Sequence, residues 1–153
     1  MAESEIFATL KQKIDEKTAR LGIIGLGYVG LPLAITFARQ GFVVTGFDTD
    51  QSKCDKLLRC ETYIKHIPLE PVSDLIKEKR LDATADFSRL MEVDVIIICV
   101  PTPLTNKRVP DLSALINTAD TIAAYLEKGQ LIVLESTTYP ETTEEELLSR
   151  FAS

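Results

Sequence analysis

The sequence predicts an α/β fold, a doubly wound parallel sheet of about five strands with helices on both faces and one extra helix at the N-terminus. Three observations carry this. Short β-rich apolar runs alternate with stretches of helical spacing along the whole chain, the rhythm of parallel strands joined by crossover helices. Three of the runs, among them DVIIICV at 94–100, are almost continuously apolar, as strands covered on both faces must be. Finally, 153 residues with 45% apolar content suit one domain of ordinary size and can fill its core.

Residues 3–18 place Ile6, Leu10 and Ile14 on one face of an amphipathic helix, so residues 1–19 are expected to form a helical extension packed outside the sheet. Strands follow at 20–25, 42–48 (FVVTGFD), 81–85 (LDATA), 94–100 and 130–135 (QLIVLE). Helices are expected between them at 28–40, 51–60, 71–79, 86–92 and 111–127, with a last one from about 140. The segment Leu31–Ala38 is apolar except for Thr36, which predicts a buried helix. Pro71 and Pro140 suit first-turn positions, where a missing N–H costs little. Asp111 after Pro110 is the expected N-cap of its helix, and TEEE from Thr143 has the spacing of a capping box. No repeat or low-complexity tract interrupts the pattern.

Charge and cysteine usage exclude several classes of function. A formal charge of −6 and a pI near 4.9 argue against nucleic acid as a partner, since a phosphate-backbone binder shows a basic face. Cys54, Cys60 and Cys99 are odd in number and lack C-x-x-C spacing or clustered histidines, which predicts neither a disulfide framework nor a metal site. A charged N-terminus without an apolar leader core, and no run of membrane-spanning length, predict a cytoplasmic chain with no membrane association.

Chemistry is concentrated in LGIIGLGYVGLPLA, where Gly25, Gly27 and Gly30 form G-x-G-x-x-G between the first strand and the first crossover helix. In that context the pattern predicts a Rossmann-type dinucleotide site. Gly25 permits the tight turn, Gly27 lets a diphosphate approach the backbone, and Gly30 allows close packing of helix on strand. Unpaired N–H groups and the helix dipole favour a bound anion there, which explains how an acidic protein holds a diphosphate. Asp48 ends the second strand, eighteen residues after Gly30. Its carboxylate suits both hydroxyls of an adenosine ribose and repels a 2′-phosphate, so NAD is expected over NADP. Residues 20–153 are accordingly expected to be an NAD-binding domain.

The segments GLGYVGLPLA, GFDTD, YIKHIPLEPVSDLI, VIIICVPTPL and LESTTYP, in this order, resemble the N-terminal domain of the UDP-glucose/GDP-mannose dehydrogenase family. YIKHIP and ESTTYP are most similar to its UDP-N-acetylglucosamine 6-dehydrogenases. The resemblance runs from about Lys17 to the end. It implies that Gly25, Leu26, Gly27, Tyr28, Val29 and Gly30 wrap the diphosphate of NAD, with Asp48 and Lys53 at the adenosine ribose. Val100, Pro101, Thr102 and Pro103 would border the cofactor, and Ser136, Thr137 and Thr138 would approach the nicotinamide, Thr137 as an auxiliary residue nearest the reacting centre. These loops all leave the carboxyl ends of strands, where ligands bind in open parallel sheets.

The resemblance further implies oxidation of the C6 alcohol of a nucleotide sugar, UDP-N-acetylglucosamine or a related UDP-sugar, to a carboxylate with two NAD, in polysaccharide biosynthesis. That reaction needs an accessible, activated cysteine. Cys99 is expected to be buried in its strand and Cys54 and Cys60 to lie along a helix, so none fits. The family places this nucleophile in a C-terminal sugar-binding part. The chain is therefore expected to be an excised cofactor domain that binds NAD without turnover, from a parent that is a homo-oligomer. Glu141 stands where relatives commonly have glycine, which touches the nicotinamide end.

Plainer readings hold for other conspicuous residues. His66 is expected to order its loop rather than act as a base, Glu144–Glu146 to be a solvated first turn, and Asn106–Arg108 an exposed loop tip. Tyr28 stands in the phosphate turn, where packing over the cofactor entrance explains it equally well. Two other classes stay open: a non-catalytic nucleotide-sensing module, and a methyltransferase with S-adenosylmethionine at the glycine loop. The β-hydroxyacid dehydrogenases share a similar first turn but usually take NADP.

Overall fold

β1 (Arg20–Ile24) has four of its five residues buried, which puts it at the middle of the sheet. It pairs in parallel with β2 (Val43–Phe47) on one side and β4 (Val95–Ile98) on the other. Outside these lie β3 (Leu81–Thr84) and β5 (Leu131–Leu134), giving the all-parallel order β3-β2-β1-β4-β5. The chain thus winds outward from β1 to β3, returns to β4 beside β1, and winds outward again. At such a reversal the loops after the two central strands diverge and leave a crevice at their carboxyl ends. A computed structural model describes residues 2–136 and 143–152 of the chain.

Two cores form because the central strands are apolar on both faces. On one face Leu21 and Ile23 of β1 pack with α2 (Gly30–Arg39), α3 (Gln51–Leu58) and the segment Ile64–Val72. On the other, Ile24, Phe47 and Ile96 pack with α5 (Ser113–Tyr125) and a 3₁₀ helix at Phe87–Glu92. All five expected strands form, each within one or two residues of its expected ends, the usual uncertainty of element boundaries.

Helices depart from expectation in physically legible ways. α1 (Glu3–Asp15) stops short of residue 18, and Lys17 takes a left-handed φ of 59° that ends the helical path. The stretch expected as a helix at 71–79 is a 3₁₀ turn, Glu70–Val72, leading into the short α4 (Ser73–Lys77). Residues 86–92 wind as the 3₁₀ helix capped by Asp86. Asp111 accepts the N–H and hydroxyl of Ser113 at 2.9 and 2.6 Å, but the capping position itself is Leu112, one residue later than expected. The C-terminal segment is a wide π turn at Thr143–Leu148 running into α6 (Ser149–Phe151). Pro140 and the expected start of that helix lie outside the described residues.

α1 buries none of its residues fully, yet Leu10 and Ile14 rest against the first core. Lys13 Nζ lies 2.7 Å from Asp94 Oδ1, while Asp94 Oδ2 accepts the Arg20 N–H at 2.8 Å. Asp94 and Arg20 mark the amino ends of β4 and β1, so α1 sits at the end of the sheet opposite the crevice.

Candidate functional site

The turn between β1 and α2 needs each of its three glycines for a different reason. Gly25 has φ +95°, and a Cβ there would stand 2.6 Å from the Cys99 carbonyl oxygen. A Cβ on Gly30 would fall 1.6 Å from the Gly25 oxygen, so only glycine lets the helix begin so close to the strand end. At Gly27 an added Cβ would meet nothing within 4 Å, because that position faces open space.

The amides of the expected diphosphate wrap divide into two sets. The Gly25 N–H donates to the Phe47 oxygen at 2.8 Å and the Leu26 N–H to Asp48 Oδ2 at 2.9 Å. Those two are engaged within the chain. Among the described residues, the N–H groups of Gly27, Tyr28, Val29 and Gly30 donate to no protein acceptor. They gather at the positive end of the ten-residue α2, a place where an anion is stabilised.

Asp48 follows β2 and is only 8% exposed. One carboxylate oxygen accepts the Leu26 N–H and the other accepts the Asp50 N–H at 2.9 Å. Each oxygen retains acceptor capacity for a further donor. Lys53 Nζ, on the first turn of α3, stands 3.7 Å from Asp48 Oδ2. Asp50 caps the same helix, and its bonds from the Ser52 hydroxyl and N–H hold its carboxyl below the usual carboxylate value.

Two adjoining hollows of ≈ 390 and ≈ 410 Å³ run along the carboxyl ends of the strands, sharing Gly25, Asp48, Lys53, Val100 and Pro101. The first continues past Asp48 to Phe87 of the 3₁₀ helix and Asn117, Thr118 and Thr121 of α5. Sequence reasoning missed these four; only the nearness of Phe87 to the end of β3 hinted at any of them. The second passes Gly27, Tyr28, Thr102 and Ser136. The Ser136 hydroxyl does not stand free, because it donates to the Val100 oxygen at 2.8 Å and ties the loops after β4 and β5 together. Pro103 is exposed beyond the hollow. Thr137, Thr138 and Glu141 lie outside the described residues.

Of the other singled-out residues, His66 and Asn106–Arg108 are exposed and line neither hollow. Tyr28 is 75% exposed at the crevice mouth. Cys99 is buried beneath the glycine turn, and burial raises its thiol to about 11, the charge of Glu135 adding to the effect. Cys54 is buried in α3, where burial and then the Asp48 charge also raise it to about 11. Neither is a thiolate at neutral pH. Among the described residues no group of three His, Cys, Asp or Glu is arranged for a metal ion, and no helix is long and apolar enough to cross a membrane.

A five-stranded parallel sheet with a glycine turn at its switch point, unpaired amides on the following helix and an acid ending the second strand defines a Rossmann-type dinucleotide-binding domain. The chain belongs to the UDP-glucose/GDP-mannose dehydrogenase family as its NAD-binding domain, the sequence model of which matches residues 19–152.

Over 134 residues, 87% of its length, it is 40% identical to UDP-N-acetyl-D-glucosamine 6-dehydrogenase of Salmonella typhi, spanning 30% of that protein. Among solved structures it is similar to the NDP-N-acetyl-D-galactosaminuronic acid dehydrogenase of Methanosarcina mazei Go1, with a TM-score of 0.80 at 34% identity over 93% of this chain and 33% of that one. The UDP-D-ManNAc dehydrogenase of Pyrococcus horikoshii gives 0.79 at 33% identity over 88% and 33%. The chain therefore spans about a third of the length of these relatives.

Proposed function

We propose that the crevice holds NAD for a nucleotide-sugar 6-dehydrogenase. The diphosphate lies on the free N–H groups of Gly27, Tyr28, Val29 and Gly30, in the turn shaped by Gly25 and Leu26. The adenosine ribose donates to the remaining lone pairs of Asp48, with Lys53 beside it. The nicotinamide half extends toward Val100, Pro101, Thr102 and Pro103 and the segment Ser136, Thr137 and Thr138, Thr137 being nearest the reacting centre. NAD supplies a hydride acceptor when bound. The residues of this chain bind and orient it and lend no nucleophile.

The observation that carries the reading is the juxtaposition of four unpaired amides with a buried carboxylate at the switch point of the sheet. It supports NAD over a 2′-phosphorylated cofactor, because the phosphate would meet Asp48. In the whole protein the substrate is UDP-N-acetylglucosamine or a related UDP-sugar, oxidised at C6 to the carboxylate, in the cytoplasm where its thiols stay reduced. Residues 1–19 act as an extension and residues 20–153 as the cofactor domain. By itself the chain binds NAD without turnover, since Cys54 and Cys99 are buried with raised thiols and Cys60, past the end of α3 rather than along it, lines neither hollow.

Calorimetric titration with NAD, NADP and UDP-N-acetylglucosamine tests this. Binding is expected for NAD alone; equal affinity for NADP, or none for NAD, would remove the reading.

A further inference from the structure

We propose that Tyr63 is a positioning residue for the diphosphate: its hydroxyl holds the Leu26–Gly27 peptide so that the Gly27 N–H faces the crevice. This rests on the cofactor reading above and concerns how that site is aimed. Leu26 is fully buried and fixed at three points. Its N–H donates to Asp48 Oδ2 at 2.9 Å. Its side chain fills the notch over Gly46, where an added Cβ would come within 2.5 Å of Leu26 Cδ2. Its carbonyl accepts the Tyr63 hydroxyl at 2.8 Å, and among the described residues that is its sole donor.

The carbonyl of Leu26 and the N–H of Gly27 belong to one peptide group. In a planar trans peptide the two point to opposite sides, so a donor fixed behind the carbonyl fixes the direction of the N–H in front. Gly27 is where the turn opens onto empty space and lines the second hollow. Hydrogen-bonding the carbonyl also polarises the peptide and strengthens its N–H as a donor.

Tyr63 reaches the turn from the loop after α3, anchored by the buried Ile64 next to it. Burial first, and the Asp48 charge second, push its phenol above the usual value, so it remains a donor at any pH the protein meets. The segment YIKHIP thereby gains a task at the cofactor turn.

The test compares the intact chain with Tyr63→Phe, which keeps the ring and deletes the donor. Affinity for NAD and for ADP is expected to fall about five- to tenfold, the worth of one hydrogen bond. Adenosine, which lacks the diphosphate and is followed by chemical-shift titration, is expected to bind as before. The Gly27 amide proton is expected to move upfield in the free variant.

Unchanged NAD affinity, or equal losses for NAD and adenosine, would overturn the proposal. Should the variant fold poorly, titrating the wild type with inorganic pyrophosphate decides, with Gly27 expected to show the largest amide shift in the turn and any smaller response counting against it. A wild type that binds neither NAD nor ADP overturns the cofactor reading and this inference together, whereas a variant that binds both as well as wild type overturns this one alone.

Discussion

Gly27 and Gly30 are the same residue type three positions apart, and the structure gives them opposite tolerances. Gly27→Ala adds a methyl to open space, so the melting temperature should stay within about 2 °C while NAD affinity drops at least ~10-fold if the diphosphate lies as proposed above. Gly30→Ala drives a methyl into the Gly25 carbonyl at 1.6 Å and should cost about 3 kcal/mol or prevent folding, read by chemical denaturation. Asp48→Ala should narrow the NAD/NADP preference in competition titration. It should also destabilise the chain by about 1–3 kcal/mol, because the Leu26 and Asp50 N–H groups lose their acceptor. Asp48→Asn keeps one amide oxygen and should lose less stability. The turn glycines and the place of Asp48 were legible in the sequence because their reasons are local: a turn, a close contact, a strand end. Tyr63 was not, since its bond to Leu26 spans 37 positions and depends on where the loop after α3 folds back.

At the level of elements, α1 and the crevice occupy opposite ends of the sheet. Removing residues 1–15 should lower the melting temperature through loss of the Leu10 and Ile14 contacts and the Lys13–Asp94 pair. NAD affinity should remain within about a factor of two, as expected for distant sites that share no partner. A larger loss would tie the helix to the cofactor turn. Strand identities were legible because continuous apolar runs leave few other choices. The 3₁₀ helix at Phe87–Glu92 was less so: six residues capped by Asp86 hold together through Leu90 packing under α5, a contact that local spacing does not reveal. Phe87 consequently enters the crevice wall, beside Asn117 and Thr121 from α5, without any motif to announce it.

Across the whole molecule, stability should follow pH with two limbs. Folding raises the Cys54 and Cys99 thiols from 9.0 to about 11, chiefly by burial. Unfolded chains therefore lose these protons first, so stability is level below about pH 9 and falls as pH climbs from 9 toward 11. Asp50, Asp86 and Asp111 move the other way, each lowered from 3.8 by bonds from the serine two residues on. Their contribution is present above that value and is lost as the pH falls below it. Thermal unfolding monitored from pH 3 to 11 checks both limbs, and a flat profile above pH 9 would contradict the buried thiols. The crevice, meanwhile, straddles two cores, one behind the glycine turn and one behind Phe87 and α5. A molecule lying along that crest bridges both halves like a clasp. Saturation should make them melt as one unit, with amides in α2 and α5 slowing their hydrogen exchange in step, and at a hundred times the dissociation constant it should add about 2.7 kcal/mol to the resistance of the fold.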